Sequence, residues 1–231
     1  MTTYEQILKD KIIIAEYAKI DDLNFYPLSH GLRHIENVIE NIKKMAVVFK
    51  LNSDTTRNLL IAAVLHDVGQ TQGRTNHGYT SMEFAKKYLA GKVSEEDLAI
   101  ILQAIENHDQ STSFTDLTLF DVLLCFADKM DFTAERFVPG FKEQWGHVGH
   151  IVYEDITAVD FDINEAELQI KITSNGALEV ENLLNEPIFF HKIIDAIKTL
   201  AEKFRVMPKV LVDGKTLSPS VSTKIIKPTS L

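Results

Sequence analysis

The sequence predicts a mainly α protein. A compact helical bundle covers residues 1–140, and a small antiparallel β hairpin or sheet with a late helix covers residues 141–231, packed on the same domain. Three observations lead there. Ile35, Val38, Ile39, Ile42, Met45, Ala46 and Phe49 recur at helical spacing, which gives one apolar helix face. Two further segments, Leu59 to Leu65 and about Leu117 to Met130, are apolar nearly all round, as helices enclosed by other helices are. After Gly140 the texture changes, and Ile156, Val159, Phe161 and Ile163, then Leu168, Ile170 and Ile172, alternate with polar residues.

The elements follow in order. Thr2 or Thr3 caps a first helix to about Ile20, and Pro27 and Gly31 mark a loop. The amphipathic helix with Arg33 and His34 at its start comes next. Asn52, Ser53 and Asp54 then cap the all-apolar helix that ends near His66. Gly69 and Gly73 open a loop, and a helix from about Thr80 to Leu89 is closed by Gly91. Ser94 and Asp97 start another, with Leu98, Ile101, Leu102 and Ile105 inward and an end near His108. In the second part Asn175-Gly176 signals a turn, and Pro187 opens a helix to about Phe204. The tail from Met207 reads as extended or partly flexible.

The 231 residues are 45% hydrophobic and 25% charged, the balance of a soluble globular chain. A net charge of −9 argues against a nucleic-acid duplex as partner but leaves room for a local basic pocket. The single cysteine, Cys125, excludes a disulfide framework and reads as a buried thiol. The N-terminus does not read as a signal peptide and no apolar run is long enough to span a bilayer, so a cytoplasmic location without membrane partners is expected.

A set of polar residues interrupts the apolar helices: His34, the doublet His66-Asp67, His77, His108 and Asp128. Each lies at the end of, or inside, an apolar segment, so packing the helices together gathers four imidazoles and two carboxylates. That donor set suits a divalent transition metal. Six ligands exceed the needs of one ion with open positions, whereas two ions bridged by a carboxylate would use them all. Taken singly, each residue has a plainer reading. His34 would be a solvated helix end, His66 a satisfied core histidine and Asp67 a turn cap. Asp128 would pair with Lys129 or Arg136 on a surface. A shared centre explains with one cause why two all-apolar helices end in carboxylates.

In this order and with these flanks (HGLRHIENVI, AAVLHDVG, NHG, IENH, FADKMD), the residues resemble the HD-domain superfamily of metal-dependent phosphohydrolases, whose pattern is H…HD…H…H…D. The resemblance spans residues 28 to 135 and implies an HD-domain helical bundle. It implies His34, His66, Asp67 and Asp128 as the core metal set, with Asp67 bridging. His77 and His108 would complete a second metal position, and a mononuclear site would leave them as outer groups. Asp67, His77 and His108 are the expected catalytic residues. The cofactor implied is a divalent transition metal, two ions, Mn or Fe first, with Co, Ni, Zn or Mg as alternatives.

The activity implied is attack of a metal-activated water on a phosphate ester or anhydride of a nucleotide or small phosphorylated metabolite. Arg33, Arg74 and Lys129 flank the ligands and are the expected phosphate contacts. A di-iron oxygenase acting on a small polar substrate would use the same ligands, and a non-enzymatic binding module would tolerate a degraded set. The Gly-Tyr-Pro stretch of the cyclic-di-GMP phosphodiesterase branch is missing, and the Glu-Asp pair of the alarmone hydrolases has no clear counterpart. Gln70 stands where many members carry lysine.

His30 either orients His34 or substrate or is a loop residue. His147 and His150 read as loop residues, His191 as an unremarkable helix residue, and Phe141 and Trp145 as packing or a lid. Residues 141–231 would shape the substrate mouth or a homodimer contact.

Overall fold

A computed structural model describes residues 2–23, 28–109, 116–137, 149–185 and 189–217. Phe141, Trp145, His147, Pro187 and the tail beyond 217 lie outside these, as does the side chain of His150. The first part holds α1 (Tyr4–Leu8), α2 (Lys11–Leu23), α3 (Leu32–Val48), α4 (Ser53–Leu65), α5 (His77–Leu89), α6 (Glu95–Asn107) and α7 (Leu119–Lys129). The second holds β1 (Ile156–Ile163), β2 (Glu167–Ser174), α8 (Val180–Leu184), α9 (Phe189–Phe204), β3 (Met207–Val212) and β4 (Lys215–Thr216). The mainly α class stands, with a small sheet beside the bundle.

Local chemistry sets most helix starts. Thr3 and Gln6 form a capping box on α1, and Thr118 and Asp121 form one on α7. Asn52 accepts from Thr55 N at α4, and Ser94 accepts from Asp97 N at α6. Every residue of α4 from Asn58 to Leu65 is buried, as is every residue of α7 from Asp121 to Lys129. These two are the central helices, and the others pack around them.

Three elements depart from the sequence expectation. The first helix is two, because Asp10 accepts from Ile12 N and restarts the chain as α2. The helix expected from Thr80 starts at His77, after Asn76 takes a left-handed backbone (φ 60) that turns the chain. The tail is structured up to Leu217. Its Met207–Val212 strand pairs with β2 in parallel, so the sheet is mixed, in the order β1-β2-β3-β4. A parallel neighbour needs a crossover, and α9 supplies it. Pro208 is tolerated because β3 meets β4 only at Leu211 and Val212, leaving an edge beside the proline. Asp213-Gly214, both at positive φ, closes the β3–β4 hairpin in the manner of a primed turn.

One apolar core runs through both parts. Phe49 of α3, Phe126 of α7, Phe161 of β1 and Phe204 of α9 form its joint, with ring centroids 4.9–6.4 Å apart. Across the sheet, Ile170 meets Phe161 on one side and Val210 on the other, all buried. No helix among the described residues is long and apolar enough to cross a membrane.

Candidate metal centre

Five helix ends converge beside this core. His34 sits in the first turn of α3, His66 caps the end of α4, and Asp67 opens the short 3-10 turn Val68–Gln72. His77 is the first residue of α5, His108 caps the end of α6, and Asp128 lies in the last turn of α7. All six side chains are buried. The C-terminal ends of α4, α6 and α7 add partial negative charge, which favours cations.

Two glycines make the convergence possible. A Cβ on Gly69 would lie 2.2 Å from Ser81 N, so the turn after Asp67 can press on α5 only as glycine. A Cβ on Gly78 would lie 2.5 Å from Glu106 O, so Gly78 lets α5 approach α6 closely enough for His77 to reach His108.

Each imidazole is held from behind. His34 Nδ1 meets Asp131 Oδ2 at 2.6 Å, and Asn37 secures Asp131 through Oδ1. His66 Nδ1 donates to Ala63 O (2.8 Å), His77 Nδ1 to Arg74 O (3.0 Å) and His108 Nδ1 to Ile105 O (2.6 Å). His66 and His108 thereby satisfy last-turn carbonyls that a helix end leaves open. With Nδ1 committed to these partners, each ring turns its Nε2 into the cluster. This is the outer support that fixes metal-ligating histidines.

The inner atoms crowd together. His66 Nε2 is buried and has no hydrogen-bond partner among the described residues. His77 Nε2 and His108 Nε2 face each other at 3.1 Å. A cation bound here would give these nitrogens a shared partner. The Asp67 carboxylate divides its oxygens: Oδ2 lies 3.4 Å from His66 Nε2 and 3.6 Å from His34 Nε2, while Oδ1 lies 3.3 Å from His108 Nε2 and 3.4 Å from His77 Nε2. Asp128 Oδ1 lies 3.2 Å from His34 Nε2 and 3.9 Å from His66 Nε2. Ligand atoms at these separations fit around ions with bonds of about 2.0–2.2 Å. Among the described residues three triads could hold an ion: His30 with His34 and Asp67, His34 with His66 and Asp128, and His66 with Asp67 and His108.

The electrostatics agree. Burial alone would raise the Asp67 carboxyl, but the imidazoles of His66 and His30 and the hydrogen bond from His108 hold it well below the usual range. Burial opposes Asp128 too, and Lys129, then His34, hold it well below. Burial lowers His77 to about 4, helped by repulsion from His108 and opposed by Asp67 and Asp109. Both carboxylates are therefore charged and His77 is neutral near pH 7, the states that bind metal.

The flanking cations are placed unequally. Lys129 is buried with its ammonium on Asp128 Oδ2, so it orients a ligand. Arg74 Nη1 donates to His30 Nε2 (2.7 Å), and His30 Nδ1–H donates to Asp67 Oδ2 (2.7 Å). His30 thus couples Arg74 to the carboxylate. The structure does not bring Arg33 to the cluster. Its guanidinium is 61% exposed and pairs with Glu135 Oε2, because adjacent helix residues point apart.

The surface pairing considered for Asp128 is also replaced, since Lys129 and Arg136 are both buried beside it. Arg136 donates to Asp131 O and Ser29 O, and Nη2 lies 3.4 Å from His34 Nε2. Asp131 and Arg136 were not legible as site residues, although Asp131 follows Asp128 by the three residues that keep two side chains on one side of a turn. Gln70 is buried, its Oε1 accepts from Arg74, and its Nε2 has no hydrogen-bond partner among the described residues.

Fold and site together define a helical protein with a buried four-histidine, two-carboxylate centre. The HD domain family matches residues 31–133, a segment that contains all six residues of the cluster, and over that segment the chain is similar to an HD domain. No curated protein matches the chain. Among solved structures the chain is similar to a predicted HD superfamily hydrolase from an uncultured Thermotogales bacterium, at 20% identity and a TM-score of 0.43, over 60% of this chain and 75% of that one.

Proposed function

We propose that the protein is a metal-dependent phosphohydrolase acting on a phosphate ester or anhydride of a nucleotide or other small phosphorylated metabolite. The observation that supports this best is the division of the Asp67 carboxylate between two histidine pairs, the arrangement of a bridging ligand. His34, His66 and Asp128 would hold one ion, His77 and His108 the other, and Asp67 both. Bound ions of this kind supply an acidified water and a Lewis acid for a phosphoryl oxygen. Manganese and iron suit this oxygen-and-imidazole set, and cobalt, nickel, zinc or magnesium are the alternatives to be measured.

The remaining work falls to the chain. Asp131 and the carbonyls of Ala63, Arg74 and Ile105 keep the four Nδ1 protons and so orient Nε2. Lys129 fixes Asp128. His30 keeps a proton on Nδ1 for Asp67 and turns Nε2 to Arg74, which leaves the guanidinium beside the centre as a phosphate contact.

The test is metal analysis of protein purified without added metal, followed by phosphate release from a panel of phosphorylated metabolites with Mn²⁺ under anaerobic conditions. About two ions per chain and turnover without oxygen are expected. Turnover that needs both iron and O₂ would replace this reading with the oxygenase.

A further inference from the structure

The first turn of α9 lies outside the matched HD segment, yet it borders the metal centre. Lys203 Nζ, at the far end of α9, donates to Leu117 O just before α7 begins (2.6 Å). The two helices pack along each other. Fastened in this way they run antiparallel, so the start of α9 lies against the end of α7, where Asp128 and Lys129 are. Phe190 and Ile193 are buried there and anchor the turn. Lys192 precedes Lys203 by about three helical turns, so it shares the face of α9 that Lys203 turns toward α7.

The charges around Lys192 fit this placement. Desolvation lowers its ammonium, repulsion from Lys129 and Arg74 adds to that, and Asp109 and Asp128 pull the other way. Asp128 belongs to the cluster, Lys129 holds it, Arg74 reaches Asp67 through His30, and Asp109 lies 3.6 Å from His77 Nδ1. The residue itself stays exposed and thus occupies the rim.

We infer that Lys192 is a substrate-positioning residue: with Arg74 it forms a cationic rim over the metal centre that receives a phosphoryl group. The inference rests on the phosphohydrolase reading and deepens it. Arg74, from the turn before α5, and Lys192, from the start of α9, repel each other. A phosphate dianion removes that repulsion, and a compact ammonium suits it. The sheet and α9 then have a role at the site, because they deliver Lys192 to it.

Inorganic phosphate is the probe, titrated calorimetrically into the Mn²⁺-loaded full chain. Lys192→Gln is expected to weaken phosphate binding about tenfold, the loss of one charge-assisted contact, with metal content unchanged. Lys192→Arg restores binding to within about twofold, and Lys198→Gln, on the other side of α9, leaves it as in the wild type. For any substrate found, Lys192→Gln raises KM more than it lowers kcat.

If wild type and Lys192→Gln bind phosphate alike, the inference falls and the phosphohydrolase reading stands. The inference also falls if Gln and Arg variants lose metal and phosphate together, since that marks a structural lysine. Should the metal-loaded wild type neither bind phosphate nor release it from any substrate, the underlying reading fails.

Discussion

The metal centre and the layer formed by the sheet and α9 are both buried, but they are buried by different means. At the centre, His34, His66, Asp67, His77, His108, Asp128 and Asp131 are enclosed within a few ångströms of one another. In the layer, Ile156, Phe161, Leu168, Ile170, Ile172, Ile193, Ile197 and Leu200 are enclosed with almost no polar company. Burying charge costs several kcal/mol per ion unless partners of opposite sign and hydrogen bonds compensate. The centre therefore depends on a specific set of atoms, and removing one leaves the others stranded. The layer depends only on volume and period. Ions bound at the centre would stabilise the fold as well as serve chemistry, whereas the layer contributes through area removed from water.

The sharpest way to break this comparison is Asp67→Ala. In the proposed arrangement both ion positions share this carboxylate, so metal content is expected to fall toward zero. Activity should drop by about a thousandfold or more, beyond the roughly 10–100-fold typical of outer partners. Metal analysis and phosphate release check it. A variant that keeps its metal and full activity ends the hydrolase reading. The counterpart in the layer is Ile170→Ala. Deleting a fully buried side chain in the middle of the sheet should cost about 2–5 kcal/mol of stability. Denaturant unfolding measures that loss, and the folded fraction should keep its metal content. If the two variants gave the same pattern, the distinction between the regions would be wrong.

The same difference decides what could be read from the sequence. Histidine and aspartate at the ends of all-apolar segments stand out because such residues are rarely buried without a partner, so all six residues of the cluster were visible. Their outer supports were not. Ala63, Arg74 and Ile105 act through backbone carbonyls, which carry no residue signature. His66, His77 and His108 each bond the carbonyl three residues earlier, a local geometry that appears only once helix ends are fixed. Arg136 reaches the centre through tertiary packing. Arg33 shows the converse, since its sequence neighbour His34 turns inward while it turns out.

In the layer, alternation disclosed β1 and β2 but not the parallel pairing of β3. Register and direction depend on the path of α9. The Asp213-Gly214 turn signal was available and was obscured by the polar tail around it.

A finer test within the centre is Asp131→Asn. Asp131 touches the His34 ring from behind, so the change weakens a ligand without deleting it. Metal affinity should fall about 10–100-fold at the position His34 serves, with the ion shared by His77 and His108 retained. Two-step metal titration separates the positions. Equal weakening at both would mean that the centre responds as one unit.

The smallest expected effect concerns pH in the metal-free protein. His77 is buried and lowered to about 4, against an ordinary value near 6.5 in the unfolded chain. As pH falls below about 6.5, the unfolded chain takes up a proton at His77 that the folded chain refuses until pH nears its own lower value. The unfolded state binds more protons in that window, so stability falls as pH falls. From pH 6.5 to 5.5 the loss attributable to His77 is of the order of 1 kcal/mol. Asp67, Asp128 and Asp131, all lowered, lose their contributions further into acid as pH drops through their folded values. His66, which Asp67 and Asp128 raise against the effect of burial, shifts the balance the other way, because its contribution is present below its unfolded pKa and is lost as pH rises through the higher folded value. The wild type alone therefore mixes several titrations. Comparing it with His77→Asn in chelator, by urea unfolding at pH 6.5 and 5.5, isolates the one of interest. The variant should lose less stability across the interval. An unchanged difference would place the acid sensitivity in the other groups of the centre.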